Sequence, residues 1–298
     1  MELRGIYVPH ITPFKEDQSI DYDALRACID FWIEGGLSGL VTLGSNGEFP
    51  YLMRSERRDL IKHVIDYVNG RVQVIVGTGA PSTIETIELS KEAVDLGADA
   101  VMIAPPYYFK VSSEELLSHY SAILDEIDAP VILYDVPKFV GYSIEVDVFE
   151  KLVKEYSQII GVKDSSNNIL HIAELIRRIG DKISIMAGTS RVILPTLVLG
   201  GKGAIVAVAN FMPKEVVRLY QSFIEGNIDE ARKIQFLINE VDMLMKKYNQ
   251  IAVVKAIVNL IGKPGGLPRK PILPLKKDEL DDVKSYLVKC GLLRKYSR

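Results

Sequence analysis

Cysteine is scarce in this sequence. Only Cys28 and Cys290 occur among 298 residues, and they lie far apart inside segments with a helical pattern. Such a pair provides neither a disulfide framework nor a CxxC redox or zinc motif. The four histidines are also scattered, without HxxxH spacing or neighbouring clusters of carboxylates. We therefore expect reduced thiols and no metal site.

Long apolar runs and an excess of one charge are absent as well. No uninterrupted apolar segment approaches the roughly 20 residues that a membrane-spanning helix needs. The first residues carry no basic leader and no small-residue cleavage site. The net charge is −3, and both signs are spread along the chain, so no basic stripe is available for nucleic acid. These absences predict a cytoplasmic protein that binds neither membranes nor nucleic acid.

Short apolar segments rich in β-branched residues recur eight times. The predicted strands are Gly5–Ile11, Gly39–Leu43, Val72–Gly77, Ala100–Ala104, Val131–Tyr134, Ile159–Lys163, Ile183–Ala187 and Ala204–Val208. Each is apolar on both faces, as parallel strands covered by helices are. Helical-period segments separate them, beginning with Asp21–Glu34 and ending with Lys214–Glu225. Eight successive βα units predict an α/β fold, a (β/α)₈ TIM barrel.

Three further helices are predicted after the barrel, at Ile228–Tyr248, Ala252–Ile261 and Lys277–Cys290. We therefore expect a barrel over residues 1–225 and a C-terminal helical extension over residues 226–298. In a TIM barrel, the side chains that carry chemistry lie at the carboxyl ends of the strands and in the loops that follow them.

Lys163 occupies such a position, at the end of the predicted sixth strand and just before a polar loop. An amine there loses hydration of its charged form, which favours the neutral form. A neutral amine attacks a ketone and forms a Schiff base. The structural alternative is a lysine with a buried stem whose ammonium group reaches solvent.

Two other strand ends should meet Lys163 at the same rim. Tyr134 ends the predicted fifth strand, so its phenol is a candidate proton relay beside the amine. The turn Gly44–Glu48 follows the second strand and can direct backbone N–H groups and the Ser45 hydroxyl at an anion. A packing tyrosine and a plain Asn-Gly turn are the structural alternatives.

Other chemistries find little support in the sequence. No Gly-Lys-Ser/Thr phosphate loop and no GxSxG nucleophile elbow occurs. Lys255 is the other notable lysine, and its helical pattern outside the barrel predicts a surface or interface position.

Four segments together resemble the dihydrodipicolinate synthase/N-acetylneuraminate lyase family of class I, pyruvate-handling aldolases. They are Gly44–Glu48, Pro105–Tyr108, Tyr134–Pro137 with Gly141, and Gly161–Asp164. Their order and spacing match the family, and the likeness covers nearly the whole chain, including the helical extension.

The resemblance implies that Lys163 forms the Schiff base with pyruvate or another 2-oxo acid, without a metal or an organic cofactor. By position, Tyr134 is the acid/base relay, while Ser45 and the backbone of Asn46 bind the carboxylate of the 2-oxo acid. Ser45 also connects Tyr134 to Tyr108 of a neighbouring subunit, which implies a homotetramer.

The resemblance places further contacts around the same pocket. Gly188 and Ile205 are expected to line it through backbone groups. Thr189 is a candidate contact to the polar end of the second substrate, an aldehyde.

This chain departs from the synthases of the family at four positions. Synthases commonly carry two threonines where Ser45-Asn46 stands, and an arginine where Phe139 stands. That arginine holds the carboxylate of aspartate semialdehyde, and its loss removes a bidentate contact. Lys138 offers only a point charge nearby, and Asp135, in place of an asparagine, is expected to make the neighbourhood more negative.

The run Gly44–Leu52 instead resembles the branch of 4-hydroxy-2-oxoglutarate aldolases and 2-keto-3-deoxy sugar acid aldolases, and Ala207–Asn210 supports this. We therefore expect a class I aldolase that acts on a hydroxylated 2-oxo acid such as 4-hydroxy-2-oxoglutarate or 2-keto-3-deoxygluconate. The alternative within the family is 4-hydroxy-tetrahydrodipicolinate synthase. A catalytically inactive, small-molecule-binding barrel is the alternative of another class.

Overall fold

Eight parallel strands close into a barrel in the computed structural model, which describes residues 2–293. The strands are β1 (Gly5–Pro9), β2 (Gly39–Thr42), β3 (Gln73–Gly77), β4 (Ala100–Ile103), β5 (Val131–Asp135), β6 (Ile159–Asp164), β7 (Ser184–Ala187) and β8 (Gly203–Ile205). The barrel closes where β1 pairs with β8, with Tyr7 beside Ile205. The predicted TIM barrel is confirmed.

Helices surround the strands and continue beyond the barrel. They are α1 (Tyr22–Glu34), α2 (Arg54–Val68), α3 (Thr83–Asp95), α4 (Ser113–Glu126), α5 (Pro137–Val140), α6 (Val146–Glu155), α7 (Ile169–Ile179), α8 (Ile193–Val198), α9 (Pro213–Ile224), α10 (Ile228–Asp242), α11 (Leu244–Lys247), α12 (Gln250–Leu260) and α13 (Lys277–Lys289). Helix α10 packs against α9, and α12 contacts the turn after β8, so the extension lies against the barrel. The domain boundary at residue 225 stays a prediction.

Two of the predicted elements depart most from their expected bounds. The single helix predicted at Ile228–Tyr248 is broken at Met243 into α10 and α11. The eighth strand ends at Ile205, and Ala207–Asn210 forms a 3₁₀ turn. The side chain of Asn210 accepts a hydrogen bond from the backbone of Ile11 and donates to the carbonyl of Pro9. These bonds hold a turn where the apolar pattern alone predicts a continuing strand.

The core has two layers because successive residues of a strand point to opposite sides. An inner cluster fills the barrel and includes Tyr7, Met102 and Tyr134. A larger outer cluster lies between the strands and the helices. The alternation decides which polar groups of β5 and β6 face the centre of the barrel and which face the helices.

Helix α12 begins at Gln250 because Asn249 caps it. The Asn249 side chain accepts hydrogen bonds from the backbone N–H groups of Ile251 and Ala252. Such a cap satisfies donors that a helix leaves unpaired at its start. It fixes the first residue of α12 at the carboxyl end of the barrel.

No helix within residues 2–293 has the length and apolar character that crossing a membrane requires.

Candidate active site

Lys163 and Tyr134 lie side by side at the carboxyl end of the barrel. They are paired in the register of β5 and β6. The Lys163 Nζ lies 4.0 Å from the centroid of the Tyr134 ring, and the lysine is only 3% exposed. Among the described residues, no carboxylate forms an ion pair with this amine. The predicted burial of Lys163 beside an aromatic hydroxyl is therefore present in the fold.

A cavity of about 80 Å³ surrounds this amine. Seven residues predicted from the sequence line it: Ser45, Asn46, Tyr134, Lys163, Gly188, Thr189 and Ile205. They come from strands or loops far apart in the chain, so the closed barrel is what brings them together. Three lining residues that the sequence analysis did not assign to this pocket are Lys138, Ser165 and Gln250.

Ser165 supplies a hydroxyl close to the phenol. Its Oγ lies 3.5 Å from the Tyr134 hydroxyl and donates to the carbonyl of Gly188 at 3.1 Å. No hydrogen bond joins Ser45 to Tyr134 in the part of the chain that the structure describes, so the relay through Ser45 stays a prediction. Ser165 stands two residues after Lys163, and this spacing is the feature of the sequence from which the second hydroxyl could have been predicted.

Tyr108 lies outside this cavity within the single chain. It is 89% exposed, and its backbone has φ 81°, in the left-handed region. Its neighbour Tyr107 lines a second chamber of about 320 Å³, together with Tyr51 and Phe139. The two cavities share Ser45, Tyr134, Val136 and Phe139 among their walls. The role of Tyr108 in a neighbouring subunit stays a prediction.

A buried ion pair lies next to the turn after β2. Ser45–Gly47 forms a 3₁₀ turn, and Glu48 follows it with φ 59°. The Glu48 Oε1 lies 2.5 Å from Lys255 Nζ. That amine also donates to the carbonyls of Thr12 and Leu267, each at 2.6 Å. The backbone of Arg269 donates to the other carboxylate oxygen of Glu48.

The surface or interface position predicted for Lys255 is therefore wrong, because the residue is 1% exposed. Its partner is remote in sequence, so helical periodicity gives no sign of it. Burial lowers the pKa of Lys255 to about 8 and raises the pKa of Glu48 above its usual value, while their mutual attraction opposes both shifts.

Asp135 does not add negative charge to the pocket, which corrects the expectation from the sequence. Its carboxylate faces the outer layer, where it accepts hydrogen bonds from the Ser143 hydroxyl at 2.5 Å and the Ile144 backbone at 3.0 Å. Burial raises the pKa of Asp135 to about 6, although these hydrogen bonds lower it. The strand alternation places Tyr134 inside and Asp135 outside.

Asp135, Asp164 and His171 form a polar cluster behind the reaction pocket, with one ligand-type atom of each lying within 4.8 Å of the others. The His171 Nδ1 lies 2.6 Å from Asp164 Oδ2, and its Nε2 lies 3.1 Å from the Ile144 carbonyl. Burial lowers the pKa of His171, but the Asp164 hydrogen bond and the two carboxylates raise it more. Both nitrogens face acceptors, so the ring is suited to donating two hydrogen bonds rather than to ligating a metal.

Lys138 and Gln250 form the rim of the pocket. The exposed Lys138, on α5, donates from Nζ to the Oε1 of Gln250 at 2.8 Å. The Nε2 of Gln250 donates to the Oδ1 of Asn46 at 2.9 Å. Beyond them opens a cleft of about 360 Å³, lined in part by Asn167 and Thr189.

Comparison with known proteins identifies the family of this chain. The model of the dihydrodipicolinate synthetase family matches residues 2–290. The chain belongs to this family. The 4-hydroxy-tetrahydrodipicolinate synthases of Methanocaldococcus jannaschii and Methanococcus vannielii are 38% and 36% identical to it, each over 98% of this chain and 100% of the relative.

Solved structures of the family are also similar to this chain. The dihydrodipicolinate synthase of Aquifex aeolicus is 32% identical, with a TM-score of 0.92 over 97% of this chain and 99% of that one. YagE, a prophage protein of the family from Escherichia coli K12, was solved in complex with pyruvate. It is also 32% identical, with a TM-score of 0.94 over 97% of this chain and 99% of its own.

Family membership shows that this protein is an enzyme, a carbon–carbon lyase of the pyruvate-dependent class I aldolase type. The resemblance to the family is thereby confirmed. The names of the relatives support the synthase alternative better than the predicted branch of hydroxylated 2-oxo acid aldolases.

Proposed function

We propose that this enzyme joins pyruvate to an aldehyde, or cleaves the product, through a Schiff base on Lys163. The observation that supports this most directly is the buried Lys163 amine beside the Tyr134 ring in a small pocket at the carboxyl end of the barrel. The amine attacks the pyruvate ketone, and loss of water leaves a protonated imine. The imine draws electrons from C3, so loss of a C3 proton gives an enamine that attacks the aldehyde carbon. Hydrolysis of the imine then releases the product.

The pocket supplies proton carriers and anion contacts for these steps. Tyr134 shuttles protons at the reacting carbon and oxygens, with Ser165 or Ser45 as the next hydroxyl. The Ser45 hydroxyl and the backbone of Asn46 bind the pyruvate carboxylate, while Gly188 and Ile205 line the pocket through backbone groups. The pyruvate complex of YagE supports pyruvate as the first substrate.

Condensation with aspartate semialdehyde, the 4-hydroxy-tetrahydrodipicolinate synthase reaction, is the leading candidate for the second step. The relatives that cover the whole chain carry this name. Lys138 supports it too, because within residues 2–293 its ammonium forms no ion pair and lies at the rim of the pocket. A lysine there supplies the charge that the missing arginine would provide.

A hydroxylated 2-oxo acid is the second candidate, and Phe139 favours it. Phe139 is a wall of both cavities at the position where synthases carry their carboxylate-binding arginine. The neighbouring cleft presents the side chains of Ser166, Asn167 and Thr189, which suit hydroxyl groups.

Two measurements test these proposals. Borohydride reduction in the presence of pyruvate should add a stable mass to the Lys163 peptide, whereas an inert binding barrel would remain unmodified. With pyruvate saturating, kcat/KM for aspartate semialdehyde is then compared with the values for glyoxylate and glyceraldehyde. Preference for aspartate semialdehyde by tenfold or more supports the synthase, and the opposite preference supports the aldolase.

We also propose that the active form is a homotetramer, or at least a dimer, in which Tyr108 reaches the site of a neighbouring subunit. Its exposure in the single chain leaves it available for such a contact. Light scattering at assay concentration should detect the assembly. An active monomer would contradict it.

A further inference from the structure

Gln250 is the residue through which the C-terminal extension reaches the reaction pocket. It is the first residue of α12, and the Asn249 cap fixes the start of that helix. We propose that Gln250 is a positioning residue that determines which atoms Asn46 and Lys138 present to the substrates. This inference rests on the proposed function, because it assumes that pyruvate and an aldehyde occupy the pocket.

The chemistry of the three side chains determines the direction of their hydrogen bonds. An ammonium group can only donate, so Lys138 requires the carbonyl oxygen of Gln250, which lies 2.8 Å away. The amide nitrogen of Gln250 must then face Asn46, which accepts through its own carbonyl oxygen at 2.9 Å. The Asn46 amide nitrogen is left as a donor, and it has no partner among residues 2–293.

This remaining donor matters because Asn46 lines the same small cavity as Lys163. A carboxylate only accepts hydrogen bonds, so the pyruvate carboxylate requires donors around it. If the Asn46 amide were reversed, it would present an oxygen to that carboxylate and repel it. Gln250 therefore holds Asn46 in the orientation that favours pyruvate.

The contact to Lys138 serves the second substrate. A neutral carbonyl holds the ammonium group at the rim without cancelling its charge, so the charge remains available to an aldehyde that carries a carboxylate. A carboxylate in place of the Gln250 amide would neutralise it.

The helix that carries Gln250 is held against the pocket by a second contact. Lys255, on the same helix, forms the buried ion pair with Glu48, which follows the turn that carries Asn46. Both Asn46 and Glu48 are thus bound by α12, so the spacing between Gln250 and Asn46 is fixed by two contacts rather than one.

Gln250→Glu and Gln250→Leu separate positioning from simple packing. Glutamate is nearly the same shape, but it accepts from Lys138 and can only accept from Asn46, so it turns the Asn46 amide nitrogen away from pyruvate. Leucine removes both hydrogen bonds and leaves Asn46 free to rotate. The measurement is the pyruvate concentration that gives half-maximal borohydride trapping, with the exposed Gln221→Leu as the control.

We expect the pyruvate concentration at half-maximal trapping to rise roughly tenfold in Gln250→Glu and a few-fold in Gln250→Leu. It should not change in the control. The KM of Gln250→Glu for the anionic aldehyde glyoxylate should also rise more than its KM for uncharged glyceraldehyde. Thermal unfolding checks that each variant is folded. If Gln250→Leu does not fold, the comparison of half-saturating pyruvate concentrations between Gln250→Glu and the wild type tests the inference.

The inference would be overturned if the half-saturating pyruvate concentration of Gln250→Glu lay within twofold of the wild-type value, or below the value of Gln250→Leu. The proposed function would remain intact. Equal changes in KM for the two aldehydes would overturn the role of Lys138. Failure of the wild-type enzyme to trap pyruvate at all would instead overturn the proposed function, and this inference with it.

Discussion

Glu48 and Lys255 form an ion pair in the interior of the protein, with 2.5 Å between Oε1 and Nζ and almost no exposure of either side chain. Glu48 belongs to the loop after β2, and Lys255 belongs to α12 of the C-terminal extension. The pair therefore joins the turn that carries Ser45 and Asn46 to a helix that follows the barrel. Removing one partner leaves the other charge buried without compensation.

Lys255→Met should lower the free energy of unfolding by about 3–5 kcal/mol, because it leaves the buried Glu48 carboxylate without an ion-pair partner. The double variant Glu48→Gln/Lys255→Met should recover part of this loss. Urea unfolding measures both. The exposed pair Lys91–Glu126 is the control, and Lys91→Met should cost less than about 1 kcal/mol. A similarly small loss of unfolding free energy in Lys255→Met would show that the buried pair does not stabilise the fold.

Lys163→Ala should abolish the borohydride-stable adduct with pyruvate, because within residues 2–293 the only other amine lining the cavity is that of Lys138 at its rim. Lys138→Ala should keep the adduct, and peptide mass mapping should assign it to Lys163. Circular dichroism should be unchanged in both variants. An adduct that persists in Lys163→Ala and maps to Lys138 or Lys255 would show that the assignment is wrong.

Tyr134→Phe should reduce turnover by about 10²–10⁴, since it removes the hydroxyl that we propose carries protons and keeps the ring that packs against Lys163. Ser165→Ala and Ser45→Ala should be compared in the same assay. A larger loss in Ser165→Ala indicates that the relay runs through Ser165, and a larger loss in Ser45→Ala supports the relay implied by the family. Near-normal turnover of Tyr134→Phe would reject its role.

Phe139→Arg tests what the missing arginine contributes. If the residue faces the second substrate, a guanidinium there should raise kcat/KM for aspartate semialdehyde by roughly 10–100-fold, in line with a hydrogen bond to a charged group. The exposed Phe236→Arg, on α10, is the control for added charge. An unchanged preference between aspartate semialdehyde and glyceraldehyde would mean that Phe139 does not contact the second substrate.

The cluster behind the pocket predicts a pH dependence of stability. The pKa of His171 is raised in the folded protein, so its contribution to stability is fully present below the unfolded pKa of about 6.5 and is lost as pH rises through the folded pKa. The difference in unfolding free energy between wild type and His171→Gln should therefore be level below pH 6.5 and shrink above it. Chemical unfolding across this range measures the difference. A difference that grows with pH would contradict a protonated His171.

Local patterns in the sequence were sufficient for the barrel and for three residues of the pocket, whereas the resemblance to the family supplied Asn46, Gly188, Thr189 and Ile205. Apolar runs of strand length predict the strands, and the parallel barrel then places Lys163, Tyr134 and Ser45 at one rim. The burial of Lys255 and the place of Gln250 were not predictable, because each depends on a partner distant in the chain, Glu48 and Asn46. Asp135 was misplaced for a different reason. Motif comparison gives a residue's position but not the side of the strand it faces.

The division of labour between strands and loops has a consequence for how such enzymes diverge. Lys163 and Tyr134 stand on hydrogen-bonded strands, whereas Phe139 and Thr189 stand on a short helix and in a loop. Loop positions tolerate replacement better than buried strand positions. A lineage can thus acquire specificity for a new aldehyde substrate by changing a few residues at the rim, while the imine chemistry stays unchanged. For an engineer, the same separation marks Phe139 and Thr189 as the positions to randomise first.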